Sequence, residues 1–347
     1  MYKVFLTGTS ATDLYELVPN SYEFTDELND QSTARITMGL GELIKLATAH
    51  NTTWRAMLTT GVRELYILRN DGKIYRGVIS GLDFAPATEG NTDVQIKSIS
   101  WLGVLGKRIT GIPKENHASG DIGDLAWAWI NASQTSDSPY SELGITQGAT
   151  PAISNHEKTN SFDNVKDMII AYSKKKIADG YDFDFDMSKA FNVYTSKGSD
   201  RTGVVFDDRL LLDWRLKTTM ISDMVNKVYV VGEGVNDDLQ YVTRTASTAL
   251  RDAWYTLESV VNARDVSETS NLNNKGDQAL LDGREPTDVL DIKVDESLYT
   301  WADYDIGDTI YITIKDLALA QVGKRVVKRT FSVTQDKGAP IISVSLQ

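Results

Sequence analysis

Over residues 1–110, and again toward the end of the chain, apolar side chains recur at every second position in short runs, which limits the fold to half-buried β-strands. Ala34, Ile36 and Met38 alternate with Arg35 and Thr37. Leu65 and Ile67 lead into Asn70-Asp71-Gly72, a tight-turn signal, and then into the run from Ile74 to Ile79, which predicts a β-hairpin. Val94 and Ile96 alternate with Gln95 and Lys97, and the strand is expected to run on to Trp101 and Leu102. Near the C-terminus Ile310, Ile312 and Ile314 face one way and Thr309, Tyr311 and Thr313 the other. Strands with one wet face suit an antiparallel barrel or sandwich.

Between these regions the period changes. After Gly111-Ile112-Pro113, Asp121 can cap a helix whose Ile122, Leu125, Ala126 and Trp129 share one face. A polar stretch from Ser133 to Thr150 precedes a second helical stripe of Phe162, Val165, Ile169 and Tyr172, which Gly180 stops. Lys174-Lys175-Lys176 reads as the cationic last turn of that helix, where the dipole favours positive charge. Tyr181-Asp182-Phe183-Asp184-Phe185-Asp186 resembles a calcium loop only at first sight. Counted from Asp182, Met187 and Val193 stand where glycine and a bidentate glutamate are required, so the run reads as a strand with aromatics inward and aspartates outward. Strand text returns at Val204 and peaks at Val228-Tyr229-Val230-Val231. Ala246, Leu250, Ala253, Trp254, Leu257 and Val261 then follow the helical period, with a polar loop expected from Asp265 to Arg284.

At 347 residues the chain is long enough for more than one core, and 41% hydrophobic with 24% charged residues is a globular composition. The absence of cysteine removes disulfides, thiolate nucleophiles, zinc fingers and iron–sulfur ligation together. His50, His117 and His156 are too few and too scattered for a zinc site or a Ser-His-Asp constellation, and no cofactor is expected. A formal charge of −12 opposes any dedicated grip on nucleic acid. The opening Met1–Thr7 run is too poor in apolar residues for a signal peptide. Nor does any stretch approach the roughly 18 apolar residues of a membrane span, so synthesis in the cytosol is expected.

The end of the chain replays the end of the first β region. Gly61 entering Val62 to Ile67 parallels Gly307 entering Asp308 to Ile312. Arg76-Gly77-Val78-Ile79-Ser80 parallels Arg325-Val326-Val327-Lys328, and the strand from Thr92 to Ser100 parallels Pro340 to Leu346.

In this order of parts the chain resembles the tail-hub family of long-tailed bacteriophages. The likeness lies in the Arg35-Ile36-Thr37-Met38 strand, the hairpin from Asn70 to Ile79, a mixed α/β insert, and a closing strand set from Asp305 to Ile310 backed by Lys324 to Val327. The resemblance implies a mainly β fold with α inserts. It would comprise one tube-like antiparallel β-barrel over residues 1–110 and a second over 204–235 and 286–347. An α/β insert would span 111–203 and a helical insert 236–285. It further implies a homotrimeric ring at the virion tail tip, assembled in the host cytoplasm. The ring would adapt a six-fold tail tube or distal tail protein on one face to a three-fold spike or fibre on the other, with DNA passing unbound through the middle. No fibre or lysin domain follows the last strand, so the spike or fibre is expected to be a separate chain.

Because a like-charged wall repels phosphates over roughly 8–10 Å at physiological salt, an acidic channel lining is expected, with Asp303, Asp305 and Asp308 as candidates. The alternatives are a receptor- or polysaccharide-binding tail module and a glycoside or peptidoglycan hydrolase. Acid pairs such as Asp207-Asp208 are ordinary on a surface holding 48 Asp and Glu, and nothing in the sequence marks one as desolvated. Trp127, Trp129, Trp214, Trp254 and Trp301 could line a sugar groove, but helical stripes make core packing the simpler account of several of them. No enzymatic activity is expected.

Overall fold

A computed structural model gives the fold. It describes the chain apart from residues 1, 8–13, 70–71, 88–90, 112–114, 118–119, 137–141, 152–157, 161, 174–179, 219–223, 235–237, 247–254, 265, 284–287, 297–298 and 335–339. The chain opens with strands β1 (Tyr2–Thr7), β2 (Leu14–Leu17), β3 (Ser21–Glu27) and β4 (Thr33–Gly39), followed by helices α1 (Leu40–Ala49) and α2 (Trp54–Met57). Strands β5 (Glu64–Arg69), β6 (Gly72–Pro86) and β7 (Thr92–Ile99) complete this region.

The middle of the chain holds α3 (Trp101–Leu105), β8 (Ile109–Thr110), β9 (Glu115–His117), α4 (Ile122–Thr135), β10 (Thr146–Gln147), β11 (Lys158–Asn160), β12 (Asp163–Asn164) and α5 (Val165–Ser173). Strands β13 (Asp182–Phe185), β14 (Ala190–Tyr194), β15 (Asp200–Asp207) and β16 (Leu211–Thr218) lead on to β17 (Lys227–Val231), β18 (Tyr241–Thr245) and β19 (Glu258–Asn262). Helix α6 (Thr269–Gly283), β20 (Asp288–Asp295), β21 (Thr309–Ile314), β22 (Leu319–Thr334) and β23 (Ile341–Leu346) close it. Two compact units result, one made of Met1–Ser173, Tyr181–Trp214 and Asp291–Leu346, the other chiefly of Arg215–Leu290.

The first unit is built on one 13-stranded sheet, ordered β16-β20-β23-β22-β3-β4-β7-β6-β5-β1-β2, with β21 on β22 and β15 parallel to β21. The mainly β architecture with helical inserts matches the sequence reading; the two barrels do not. Among the described residues no sheet closes on itself, and strands expected in separate barrels share backbone hydrogen bonds. β3 pairs antiparallel with β22, which sets Phe24 opposite Phe331, both fully buried. A period of two reports that a strand has one dry face; it carries no information on whether the first strand of a sheet meets the last.

The replayed strands form two meanders of the same build, β5-β6-β7 and β21-β22-β23, each with a long middle strand of 15 or 16 residues. Gly61 and Gly307 enter them at φ 75° and 91°, a left-handed conformation that glycine adopts without steric cost. Their N–H groups donate to Ile79 O and Val326 O, each at 2.8 Å. Ile79 N and Val326 N donate back to Arg63 O and Asp308 O. In each middle strand a register shift follows at once, between Ile79 and Gly81 and between Val326 and Lys328. Ile79 therefore corresponds to Val326, two positions away from the match of Arg76 with Arg325 read from the sequence. A slip of two keeps every side chain on its own face, so alternation alone cannot detect it.

The inserts pack around a separate core containing Leu105, Ile122, Leu125, Trp129, Val165, Ile169 and Phe191. Asp121 caps α4 by accepting from Gly123 N and Asp124 N, as its position predicts. Trp101 begins helix α3 instead of extending β7, and Phe162 stands exposed at φ 51° before α5. The lysine run 174–176 lies outside the described residues.

In the second unit β17 pairs antiparallel with β18 and parallel with β19, and α6 covers one face through Val228, Val230, Leu272 and Leu280. A Cβ on Gly276 would stand 2.4 Å from Arg244 Cγ and 3.0 Å from Val230 Cγ2, so this glycine sets how closely α6 approaches the sheet. The helix expected through 246–261 is not formed where it is described: Leu257 lies outside any helix and Val261 in β19, while residues 247–254 lie outside the described set. The real helix, α6, occupies the stretch read as a polar loop. Its sequence is mostly polar, and packing of Leu272 and Leu280 overrides weak intrinsic propensity.

Candidate functional site

A cleft of about 530 Å³ lies in the first unit, lined from β3, β6, β13, β22 and the 301–306 loop. It is the meeting place of segments distant in sequence, and charge holds them together. Asn29, at φ 57° in the β3–β4 turn, donates from Nδ2 to Asp182 Oδ1 at 2.7 Å and accepts from Phe183 N at 2.9 Å. Asp182 also accepts from Lys197 N and from Arg325 Nη2. Asp182 is thus buried, against the outward position expected of it, because an inward carboxylate with three donors is fully satisfied.

Each cation lining the cleft has an acidic partner. Arg69 pairs with Glu296 at 3.1 Å, Arg76 with Glu64 at 2.7 Å, Lys197 with Asp184 at 2.8 Å, Arg201 with Asp308 at 2.8 Å, and Arg329 with Asp305 at 2.5 Å. Arg329 is almost wholly buried; it donates to Trp301 O at 2.9 Å and to Tyr304 O, and stacks 3.8 Å from the Trp301 ring centroid. Burial works against the charge on Lys197, but Asp305, Asp184 and Asp26 outweigh it and push its pKa up to about 12.

The three acids singled out by charge have different surroundings. Asp303 is exposed and accepts from Thr300 N at 2.5 Å. Asp305 is exposed and bonded to Arg329. Asp308 is buried: Ser199 N at 2.6 Å, Arg201 Nε at 2.8 Å and Asp305 N at 2.8 Å all donate to it. Burial alone would raise its pKa, but Arg201 and the backbone donors hold it below the usual carboxylate range. Beside it Gly198 and Gly307 cross backbone to backbone, and a Cβ on Gly198 would fall 2.1 Å from Gly307 C.

This chemistry is that of a clamp. A hydrolytic carboxylate pair needs one acid held protonated by a raised pKa. Glu64, Asp186 and Asp308 move the other way, because ion pairs and hydrogen bonds at Glu64 and Asp308, and hydrogen bonds alone at Asp186, overcome the effect of burial. Among the described residues no group of three or more His, Cys, Asp and Glu could hold a metal, and no helix is long and apolar enough to cross a membrane. The chain carries no catalytic motif. Sequence reasoning passed over the clamp, although one signal was present: Arg329 shares inward parity with Phe331, and an inward arginine requires acids facing it.

No protein-family model matches the chain, and no curated protein matches it in sequence. Solved structures match its fold. The 43 kDa tail protein of prophage MuSo2 from Shewanella oneidensis is similar at a TM-score of 0.69 and 8% identity, covering 99% of this chain and 98% of that one. The tail protein from Neisseria meningitidis MC58 is similar at 0.64 and 13% identity, covering 100% and 96%. A chain of the half-lidded Francisella PdpA–VgrG complex is similar at 0.56 and 10% identity, covering 100% of this chain and 58% of that one. The likeness is one of fold, shared with a prophage tail protein, a second tail protein and a chain of a VgrG-containing complex.

Proposed function

We propose that the chain is the subunit of a trimeric hub at the tip of a phage tail, assembled in the host cytoplasm and carried in the virion. In this reading the ring adapts a six-fold tail tube or distal tail protein to a three-fold spike or fibre and leaves a path for DNA. The observation that carries the reading is the pair of matching meanders, with their paired glycines and paired bulges. A subunit that offers the same structural unit twice presents six such units in a trimer, which is what a six-fold partner requires. Of the acids expected in the lumen, Asp303 and Asp305 have the exposure that role needs, whereas Asp308 is committed to Arg201.

Mass measurement of the native protein, followed by electron microscopy of the protein mixed with tail-tube subunits, tests the reading. A particle of three chains bound end-on to the tube is expected. A monomer that stays monomeric with tube present overturns it, as does a channel wall dominated by Lys and Arg.

A further inference from the structure

The two repeats share more than their meanders. β20 pairs with β23 as β4 pairs with β7, and β16 pairs with β20 as β3 pairs with β4, so each repeat has five strands: β3-β4-β7-β6-β5 and β16-β20-β23-β22-β21. The long middle strands divide their outer edge in the same way. The first half of β22 pairs with β21. At Val327 the edge passes to β3: Leu28 N donates to Val327 O at 2.9 Å, and residues 328–334 run antiparallel to β3. The first half of β6 likewise pairs with β5 as far as Val78, but beyond it residues 81–86 pair with β7 alone among the described residues.

The bulges fix the match residue by residue. With Ile79 at Val326, Gly81 corresponds to Lys328, Asp83 to Thr330, Phe84 to Phe331 and Ala85 to Ser332. Phe331 is fully buried, with Phe24 of β3 opposite it, whereas Phe84 at the same place in the other repeat is 46% exposed. Asp83, Phe84, Ala85 and Pro86 are exposed in succession, so both faces of β6 meet water here. An open strand edge is a template for another strand. Pro86 offers no N–H and marks where an added strand stops.

The strand that fits is the one standing in the second repeat where β3 stands in the first, which is β16. Leu290, Ile292 and Val294 are buried on β20 as Ala34, Ile36 and Met38 are on β4. On the opposite face Ser345 Oγ donates to Asp291 at 2.6 Å, the place where Lys97 meets Arg35, and Lys293 pairs with Asp213 at 3.3 Å, the place where Thr37 meets Ser21. Asp213, Arg215 and Lys217 thus share the wet face, and Leu212, Trp214 and Leu216 the dry one. We infer that the edge of β6 over residues 81–86 takes β16 of a second copy of this chain, in the register by which β22 takes β3. That register sets Phe84 opposite Leu216 on the dry face, and Ala85 opposite Arg215 and Asp83 opposite Lys217, charges of opposite sign, on the wet face. The contact is heterologous, and in a ring of three copies six repeats are joined by six like junctions, β22–β3 within chains and β6–β16 between them. The ring rests on the trimeric reading above; the strand pairing is a separate claim about which surfaces meet.

Because the chain has no cysteine, introduced ones report the contact directly. Ala85→Cys is combined in turn with Asp213→Cys, Arg215→Cys or Lys217→Cys, three positions on one face of β16, and each double variant is oxidised mildly and run on a non-reducing gel. The Arg215→Cys double is expected to give covalent ladders ending at three chains, with a yield about tenfold above either single variant and above the other two doubles. Phe84→Lys is expected to weaken self-association about tenfold, while Val260→Lys, at a site 58% exposed on β19, leaves it unchanged. Circular dichroism verifies that both variants are folded. If the wild type is trimeric but no double variant cross-links above the singles, the strand pairing is wrong and the hub reading stands. A highest yield at Asp213 or Lys217 overturns the equivalence of the two junctions, and equal weakening by Phe84→Lys and Val260→Lys overturns the role of the β6 edge. A monomeric wild type removes both the pairing and the hub reading.

Discussion

Phe331→Ala tests whether the two ends of the chain share one cooperative sheet. Phe331 is fully buried on β22, with ring centroids 4.4 Å from Tyr2, 5.2 Å from Phe24, 6.0 Å from Trp301 and 6.2 Å from Tyr22. Truncating a buried Phe to Ala costs about 3–5 kcal/mol, and each lost aromatic contact adds to the burial term, so the upper part of that range, about 4–5 kcal/mol, is expected. For a unit of this size about 2–4 °C is lost per kcal/mol, so the melting temperature should fall by roughly 8–20 °C. Calorimetry at fixed protein concentration measures the fall, and amide exchange locates it. Because Phe331 lies opposite Phe24 across the β3–β22 pair, exchange should quicken together at Val94 and Ile96 on β7 and at Ile342 and Val344 on β23. If β23 loosens while β4 and β7 keep their protection, the sheet is not one cooperative body and the reasoning fails.

Asp308→Asn should lower stability by about 1–3 kcal/mol at neutral pH, since it removes the charge that Arg201 and two backbone N–H groups were arranged around. The folded-state pKa of Asp308 lies below its unfolded value, so its contribution is fully present above the ordinary carboxylate range and is lost as pH falls through the folded pKa. Melting temperature followed from pH 7 downward should therefore drop less steeply in Asp308→Asn than in the wild type. Gly198→Ala should abolish soluble folded protein, because its Cβ would meet Gly307 C at 2.1 Å at a φ of 98°. Gly203→Ala, with nothing within 4 Å of its Cβ, should stay within about 0.5 kcal/mol of wild type by chemical denaturation. Leu272→Ala, at a fully buried contact of α6 with β17, should cost about 2–5 kcal/mol and lower the melting of the second unit.

What the sequence made legible were features encoded within a few residues. The alternation at Ala34, Ile36 and Met38 gave β4, β5 and β6 pair antiparallel as the hairpin reading requires although Asn70 and Asp71 of its turn signal lie outside the described residues, and Asp121 capped α4. What it hid depends on partners far away in the chain. Asp182 reads as an outward residue until Arg325, 143 positions later, turns it inward. The clamp of Lys197, Asp184, Asp305 and Arg329 joins three segments that no local pattern links. Closure of a sheet is likewise a relation between its ends, which is why strand text that suits a barrel belongs here to an open sheet. Helix α6 was missed for a related reason: two leucines facing β17 suffice to hold a helix whose own sequence argues for a loop.

Openness has a physical consequence for assembly. A closed barrel satisfies every backbone group within the chain, whereas an open sheet leaves its two end strands with unpaired N–H and C=O groups. Among the described residues Tyr299 caps the edge of β15, while β16 and β2 each pair on one side only. Every cation lining the cleft already has an acidic partner, and Asp305 serves both Lys197 and Arg329, so a partner docking there would have to break ion pairs before making its own. A strand added at an open sheet end would break none of these pairs and would gain backbone hydrogen bonds instead. Self-association should accordingly persist in high salt, which screens exposed ion pairs but strengthens apolar burial when the salt is a sulfate. An association that dissolves in sulfate would place the contact on charged surfaces instead.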